Sequence, residues 1–129
     1  MQIKAIRYIG GLLLFVAVVA CSHVDEITPR SYVGLLFGDT KSLRDEIGQA
    51  LSGGKTVPNV GTLTLKPRDD GLMVAPIDLG WVTKGGAIVV HNKKYGVVVI
   101  QEPIVSQGGV AWNCVVYPVE AKPNVCGSQ

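Results

Sequence analysis

Residues 96–118 are GVVVIQEPIVSQGGVAWNCVVYP, and the fold class follows from this stretch. Runs of β-branched residues lie on both sides of the turn sequence SQGG at 106–109, which predicts two strands joined by a hairpin. In the second strand, Trp112 and Cys114 are two residues apart and therefore share one face. The stretch predicts the last two strands of an antiparallel sheet.

Further strands are predicted upstream of this hairpin. GGAIVVHN at 85–92 is β-branched and is followed by Lys93 and Lys94, which predict a hairpin tip. GTLTLKP at 61–67 alternates apolar and polar residues. LMVAPIDLGWV at 72–82 contains a proline, which favours an edge strand or an extended loop. We therefore expect a sheet of about four strands.

A helix is predicted before the strands. Leu43, Ile47 and Leu51 recur at helical spacing and form one apolar stripe. Asp39 or Thr40 can cap the start of this helix, and the glycine pair at 53–54 ends it. The apolar stretch SYVGLLF at 31–37 fits either an extra turn of helix or a buried strand. The expected fold is α+β, with a short N-terminal helix packed on the antiparallel sheet.

The N-terminus has the pattern of an export signal. A basic start is followed by an apolar run at 9–20, which is shorter than the roughly 20 residues that a membrane-spanning helix needs. VVAC at 18–21 resembles a bacterial lipobox, and this resemblance predicts a signal peptide at 1–20 and lipidation of Cys21. An ordinary signal peptide cut after Ala20 is the alternative. Residues 21–38 are then the anchor and tether, and residues 39–129 the domain. Ser22 resembles the residue that lets lipoproteins pass to the outer membrane.

The remaining cysteines form an even pair. If lipidation occupies Cys21, Cys114 and Cys126 are left, and exported compartments are oxidising, so a disulfide is expected. A bridge over this loop length contributes about 3 kcal/mol. A redox site is the alternative, but such sites usually use the closer C-x-x-C spacing.

The C-terminal part of the chain resembles the globular domain of a type IV pilin. The resemblance rests on GGAIVV at 85–90, Pro103, the glycine turn at 108–109, Trp112-Asn113-Cys114 and the sequence PNVC at 123–126. Pilins also carry a long stalk helix with an early glutamate, whereas here LLLFVAVVAC follows Gly11 without an acidic residue. The resemblance implies a pilin-like head without the polymerisation stalk. It also implies that the bridged loop is a contact region, with these partner-binding candidates: Tyr117, Pro118, Glu120, Lys122, Pro123 and Asn124.

Signs of catalysis are few in this sequence. Neighbouring carboxylates, Asp45-Glu46 and Asp69-Asp70, do not converge on one point when they are adjacent in sequence. His23 lies in the tether, and His91 ends a strand without an evident partner. The formal net charge of +2 and the lack of a basic stretch with aromatics argue against nucleic-acid binding. Trp81 and Trp112 are expected in the core. We expect no catalytic residues, metal ligands or cofactors, and no enzymatic activity.

Three functional hypotheses remain. The first is an envelope lipoprotein with a pilin-like head that binds components of a type IV pilus or a related system, as an accessory or an inhibitor. The second is an immunity lipoprotein that neutralises a toxin or hydrolase. The third is an adhesive or structural surface lipoprotein. In each case the expected location is the outer membrane of a Gram-negative envelope, with contact to the membrane through the lipid on Cys21.

Overall fold

A computed structural model describes residues 27–65 and 74–127 of the chain. In this part of the chain two helices come first, α1 (Pro29–Asp39) and α2 (Lys41–Ser52). Five strands follow, and a short 3-10 helix, Val119–Ala121, comes last. The strands are β1 (Gly61–Thr62), β2 (Leu79–Val82), β3 (Ile88–Asn92), β4 (Val97–Ser106) and β5 (Gly109–Tyr117). The predicted sites at Cys21, His23, Asp69 and Asp70 lie outside the described residues.

The five strands form one antiparallel sheet in the order β1-β2-β3-β4-β5. The α+β class and the antiparallel sheet are confirmed, with five strands where the sequence indicated about four. The tight turns at 93–96 and 107–108 join β3 to β4 and β4 to β5, as the sequence predicted. Among the described residues, no helix has the length and apolarity that crossing a membrane requires.

The first two strands are shorter than the sequence patterns suggested. Of the alternating stretch at 61–67, only Gly61–Thr62 forms a strand within the described residues, and the N–H of Leu63 adds one hydrogen bond of 2.9 Å to the Gly80 carbonyl. β2 begins at Leu79, after the proline at position 76, and it lies between β1 and β3, so it is not an edge strand. The carbonyl oxygen of Pro76 instead accepts hydrogen bonds from the Tyr32 hydroxyl and from Nδ2 of Asn92. These bonds hold the residues before β2 against α1 and β3.

Helix α1 belongs to the folded unit, although the sequence analysis placed residues 21–38 in the anchor and tether. The side chain of Thr28 caps the helix by accepting a 3.1 Å hydrogen bond from the Ser31 N–H, and Pro29 occupies the first turn. Tyr32, Val33 and Leu36 are buried in the core. The open choice for residues 31–37 is thus resolved as helix.

The two helices pack on one face of the sheet, which we call the inner face. Residues at alternate positions of the strands point to it and are buried. Ile47 of α2 is fully buried, while Leu43 and Leu51 of the predicted stripe are half-buried at its margins. Complete burial of an isoleucine side chain contributes about 1.5–3 kcal/mol, so this central position stabilises the packing most.

The two tryptophans have different environments. Trp112 points to the inner face and is buried, as predicted, but Trp81 is 47% exposed, so the expectation of a core position for Trp81 was wrong. In β2 the inward positions belong to Gly80 and Val82, which leaves Trp81 on the opposite face. A Cβ atom at Gly80 would lie only 2.9 Å from Cβ of Leu63, so no side chain fits inward there.

A buried polar cluster joins the helices to β4. Nη1 of Arg44 lies within hydrogen-bonding distance of the Phe37 carbonyl (2.7 Å), Thr40 Oγ1 (2.8 Å) and Gln101 Oε1 (2.7 Å). Nε2 of Gln101 donates to Thr40 Oγ1 at 3.1 Å, and the Arg44 guanidinium lies 3.7 Å from the Phe37 ring centroid. Burial lowers the pKa of Arg44 to about 10. The apolar stripe gave no sign that an arginine one position beyond Leu43 would be buried.

Replacement of Gly86 by alanine should destabilise the fold strongly. Gly86 has a φ of +94°, and a Cβ there would lie 2.8 Å from Ile47 Cγ2 and 3.2 Å from Pro103 Cγ. We expect Gly86→Ala to lower the free energy of unfolding by about 2–4 kcal/mol, from backbone strain and overpacking together. Gly96→Ala is the matched control, because Gly96 has a φ of +64° with no atom within 4 Å of the added Cβ. Gly96→Ala should lower the free energy of unfolding by only about 1 kcal/mol. Urea denaturation measures both, and equal losses would contradict the packing described.

Ionisation of Tyr32 should make the fold sensitive to alkali. Burial is the main cause that raises the pKa of Tyr32 from 10.0 to about 12. Protonated Tyr32 therefore contributes fully to the free energy of unfolding below pH 10, and this contribution is lost as the pH rises from about 10 to about 12. At neutral pH, Tyr32→Phe should lower the free energy of unfolding by about 1 kcal/mol, because the hydrogen bond to the Pro76 carbonyl is lost. Above pH 10 its stability should fall less steeply than that of the wild type. Denaturant midpoints that fall in parallel for the two proteins would refute this assignment.

Candidate functional site

A disulfide between Cys114 of β5 and Cys126 closes the C-terminal loop, which confirms the predicted pairing. The two Cα atoms are 5.6 Å apart, and both cysteines are buried. A Cβ at Gly127 would lie 3.4 Å from Cβ of Cys114, so the chain is close to β5 directly after the bridge. We call residues 117–125 the bridged loop.

The bridged loop is anchored to the domain at further points. Ala121 is buried against α1 and β5. Arg30 of α1 donates hydrogen bonds from Nε (3.3 Å) and Nη2 (3.0 Å) to the carbonyl oxygen of Glu120. Inside the loop, the N–H of Ala121 donates to the Pro118 carbonyl at 3.0 Å. The loop therefore has a defined shape without any bound partner, and helix α1 helps to set that shape.

Most of the predicted contact residues are exposed on this loop. Tyr117 is 61% exposed, and only Pro123 of the six is half-buried. The other exposed members of the predicted set are Pro118, Glu120, Lys122 and Asn124. The sequence analysis missed Val119, which is 69% exposed and is the most exposed large apolar side chain in the described residues. The Pro118-Val119 sequence after a strand was the available signal, because an apolar residue that follows a strand-ending proline has no sheet face to cover it.

Apolar residues extend from the loop over the second face of the sheet, the outer face. The pairing register places Tyr117 beside Val98, Val98 beside His91, and His91 beside Leu79. Leu79 is exposed at the far end of this row, and a parallel row runs from Trp81 to Val115. We did not predict this surface, because the β-branched strands gave no indication of which face the helices would cover.

The surroundings of His91 are apolar on both sides. Its neighbours across the strands are Leu79 and Val98, and its side chain is half-buried between them. Within residues 27–65 and 74–127, no three histidine, cysteine or acidic side chains come together as a metal site. Asp45 and Glu46 are both exposed, and Asp45 pairs with Lys41 at 2.9 Å. The row around His91 thus offers apolar contacts to a partner.

Comparison with known proteins gives no relative from which a function can be transferred. No protein-family model matches the chain, and neither a curated protein nor a solved structure shows a significant match. Functional conclusions therefore depend on the geometry and on the sequence patterns.

Loss of the disulfide should loosen the bridged loop and destabilise the fold. The double substitution of Cys114 and Cys126 by serine should lower the free energy of unfolding by about 3 kcal/mol, because the unfolded chain gains freedom. Amide hydrogen exchange across residues 118–127 should accelerate more than exchange in β3. The wild type treated with reductant should reproduce both effects, and reductant should not change the double variant. Unaltered exchange in the loop would show that Arg30 and Ala121 alone fix its shape.

Proposed function

We propose that the protein is a non-enzymatic envelope lipoprotein whose pilin-like head binds a protein component of a type IV pilus or a related system, as an accessory or an inhibitor. The observation that carries the proposal is the bridged loop, which is anchored by a disulfide and by Arg30 and yet exposes Tyr117 and Val119. The sequence resemblance to pilins, in which such a loop is a contact region, supplies the class of partner.

The physical character of the loop suits protein binding. An anchored loop loses little conformational entropy when a partner binds, so more of the contact energy appears as affinity. Tyrosine is frequent among the residues that dominate interface energetics, since it offers a large apolar surface and a hydroxyl with few rotatable bonds. Tyr117 also continues into the apolar row of the outer face, which ends at Leu79. A partner that contacts the loop can therefore extend its interface over the sheet.

The lipid anchor is the second part of the proposal. Lipidation of Cys21 would hold the protein at the membrane, because each buried methylene of an acyl chain contributes about 0.8 kcal/mol. The folded head then needs no membrane-binding surface of its own, and the exposed apolar side chains Tyr117, Val119 and Leu79 remain for a protein partner.

Labelling with a fatty-acid analogue tests the anchor. We expect the wild type to incorporate the analogue and to fractionate with outer membranes. Cys21→Ala should lose the label and the membrane association, whereas the Cys114 and Cys126 double serine variant should keep both. Labelling that persists in Cys21→Ala would contradict lipidation at this position.

Site-specific photocrosslinking in the envelope tests the partner and the surface together. A crosslinking amino acid at Tyr117 or Lys122 should capture a pilus or secretion component, identified by mass spectrometry. Gln107 is the matched control position, because it is also exposed but lies at the opposite tip of the β4–β5 hairpin, about 30 Å away. Capture from Tyr117 and not from Gln107 is the expected result.

Other outcomes of this experiment decide against the proposal. Capture of a single toxin or hydrolase would assign the protein to the immunity class. Equal capture from Tyr117 and Gln107, or no protein captured from the loop, would refute the loop as the contact surface.

Val119→Asp should abolish capture without loss of folding, since Val119 is exposed.

A further inference from the structure

A groove of about 500 Å³ lies between helix α2 and strand β5, on the inner side of the sheet. It involves none of the residues of the bridged loop. One wall is the helix backbone at Gly48 with the side chains around it, and the other wall is apolar. The lining residues are Arg44, Asp45, Gly48, Gln49, Ser52, Val110 and Trp112.

The guanidinium of Arg44 uses only one of its nitrogens inside the protein. The residue is 7% exposed, and all three of its hydrogen bonds, to Phe37, Thr40 and Gln101, are made by Nη1. A guanidinium carries five N–H donors, two of which belong to Nη1. The Nε–H and both N–H groups of Nη2 therefore remain for other acceptors.

The unused donors of Arg44 reach solvent. Nε and Nη2 have no acceptor among the described residues, and no buried side-chain nitrogen in those residues lacks a partner. Both atoms must then reach solvent. Arg44 is also one of the residues that line the groove.

In the part of the chain that the structure describes, the guanidinium of Arg44 makes no direct ion pair, although Asp45 acts on its charge through space. The single ion pair in residues 27–65 and 74–127 joins Lys41 to Asp45, at the exposed side of α2. The partners of Arg44 are neutral oxygens and the face of the Phe37 ring. A buried cation usually has an anionic partner, because the loss of hydration is costly. A carboxylate that enters the groove would supply the direct contact with Arg44 that Asp45 does not make.

We propose that this groove binds a monocarboxylate with a short apolar stem, held by Nε and Nη2 of Arg44. Nε–H and one N–H of Nη2 form the planar fork that accepts the two oxygens of a carboxylate. Phe37 and Thr40 fix the plane of the guanidinium, so the fork is set before binding. Val110 and Trp112 provide apolar surface for the stem. Asp45 in the groove wall repels anions, and it repels a dianion such as phosphate more strongly than a monocarboxylate.

Nuclear magnetic resonance of the full chain, labelled with ¹⁵N-arginine, tests the site with simple probes. Pentanoate should shift the Nε–H signal of Arg44 in a saturable way, and neutral pentanamide should bind about tenfold more weakly. Arg44→Lys keeps the charge but removes the fork, so it should weaken pentanoate binding by about tenfold. Arg30→Gln should leave the affinity unchanged.

A second pair of variants avoids any change to the buried cluster. Gln49→Glu adds a negative charge on an exposed residue in the groove wall, and should weaken pentanoate binding by about fourfold at low salt. Gln107→Glu adds the same charge at the exposed hairpin tip and should have no effect. Both variants should fold as the wild type does.

The same titrations can overturn the proposal. Any of three results would refute it. Pentanoate and pentanamide could bind with equal affinity, or inorganic phosphate could bind more tightly than pentanoate. The third is an equal loss of pentanoate affinity in Gln49→Glu and Gln107→Glu. N-acetyl-leucine distinguishes two sources of the carboxylate. Tighter binding of N-acetyl-leucine than of pentanoate assigns the groove to the end of a peptide, and the reverse order assigns it to a free acid.

Discussion

The antiparallel ladder between β4 and β5 supports the other parts of the structure. It runs without interruption from the Val98–Tyr117 pair to the Ser106–Gly109 pair, whereas β3 pairs with β4 only as far as Gln101. Helix α2 packs where this ladder continues beyond β3, through Ile47 near Pro103 and Gly48 near Val110. The bridged loop begins where the ladder ends, at Tyr117. Helix packing and the loop thus depend on the register of a single hairpin.

The buried polar cluster gives the helix–sheet contact a defined geometry. An apolar contact between α2 and the sheet tolerates small displacements, but the bonds of Arg44 to Phe37, Thr40 and Gln101 require specific distances. Removal of one partner would leave a buried donor or acceptor unsatisfied, which costs about 1–3 kcal/mol. The cluster therefore fixes the position of α2, and with it the width of the groove beside Trp112. In this way one arginine connects the stability of the fold to a potential binding site.

The two surfaces of interest differ in how they are formed. The bridged loop is a local structure, closed by a covalent bond close in sequence and tied to α1 through Arg30 and Glu120. The groove is formed by residues 44–52 and 110–112, which meet only because the sheet brings β5 under α2. They lie on different parts of the molecule, so a partner at the loop and a ligand in the groove can be present together. The proposed function depends on the first surface alone.

Sequence reasoning predicted the elements that have a strong local pattern. The β-branched runs and glycine turns determined the last three strands and both hairpins, because residue alternation and turn chemistry act over a few positions. The pairing of Cys114 with Cys126 followed from counting cysteines and from the expected compartment. The packing of α1 in the core was not predicted, since its residues carry no clear apolar stripe and their burial depends on the sheet beneath them.

The sequence by itself determined the α+β class, the final hairpin and the disulfide, since each follows from contacts between residues near in the chain or from the cysteine count. Only the tertiary structure decided that Trp81 and Val119 are exposed, that Arg44 is buried, and that Tyr117 and Leu79 lie at the two ends of one row on the outer face. Those outcomes depend on which face of the sheet the helices cover, and that choice is made by packing between distant segments, such as Ile47 against Gly86. Local sequence patterns do not indicate contacts between such distant segments.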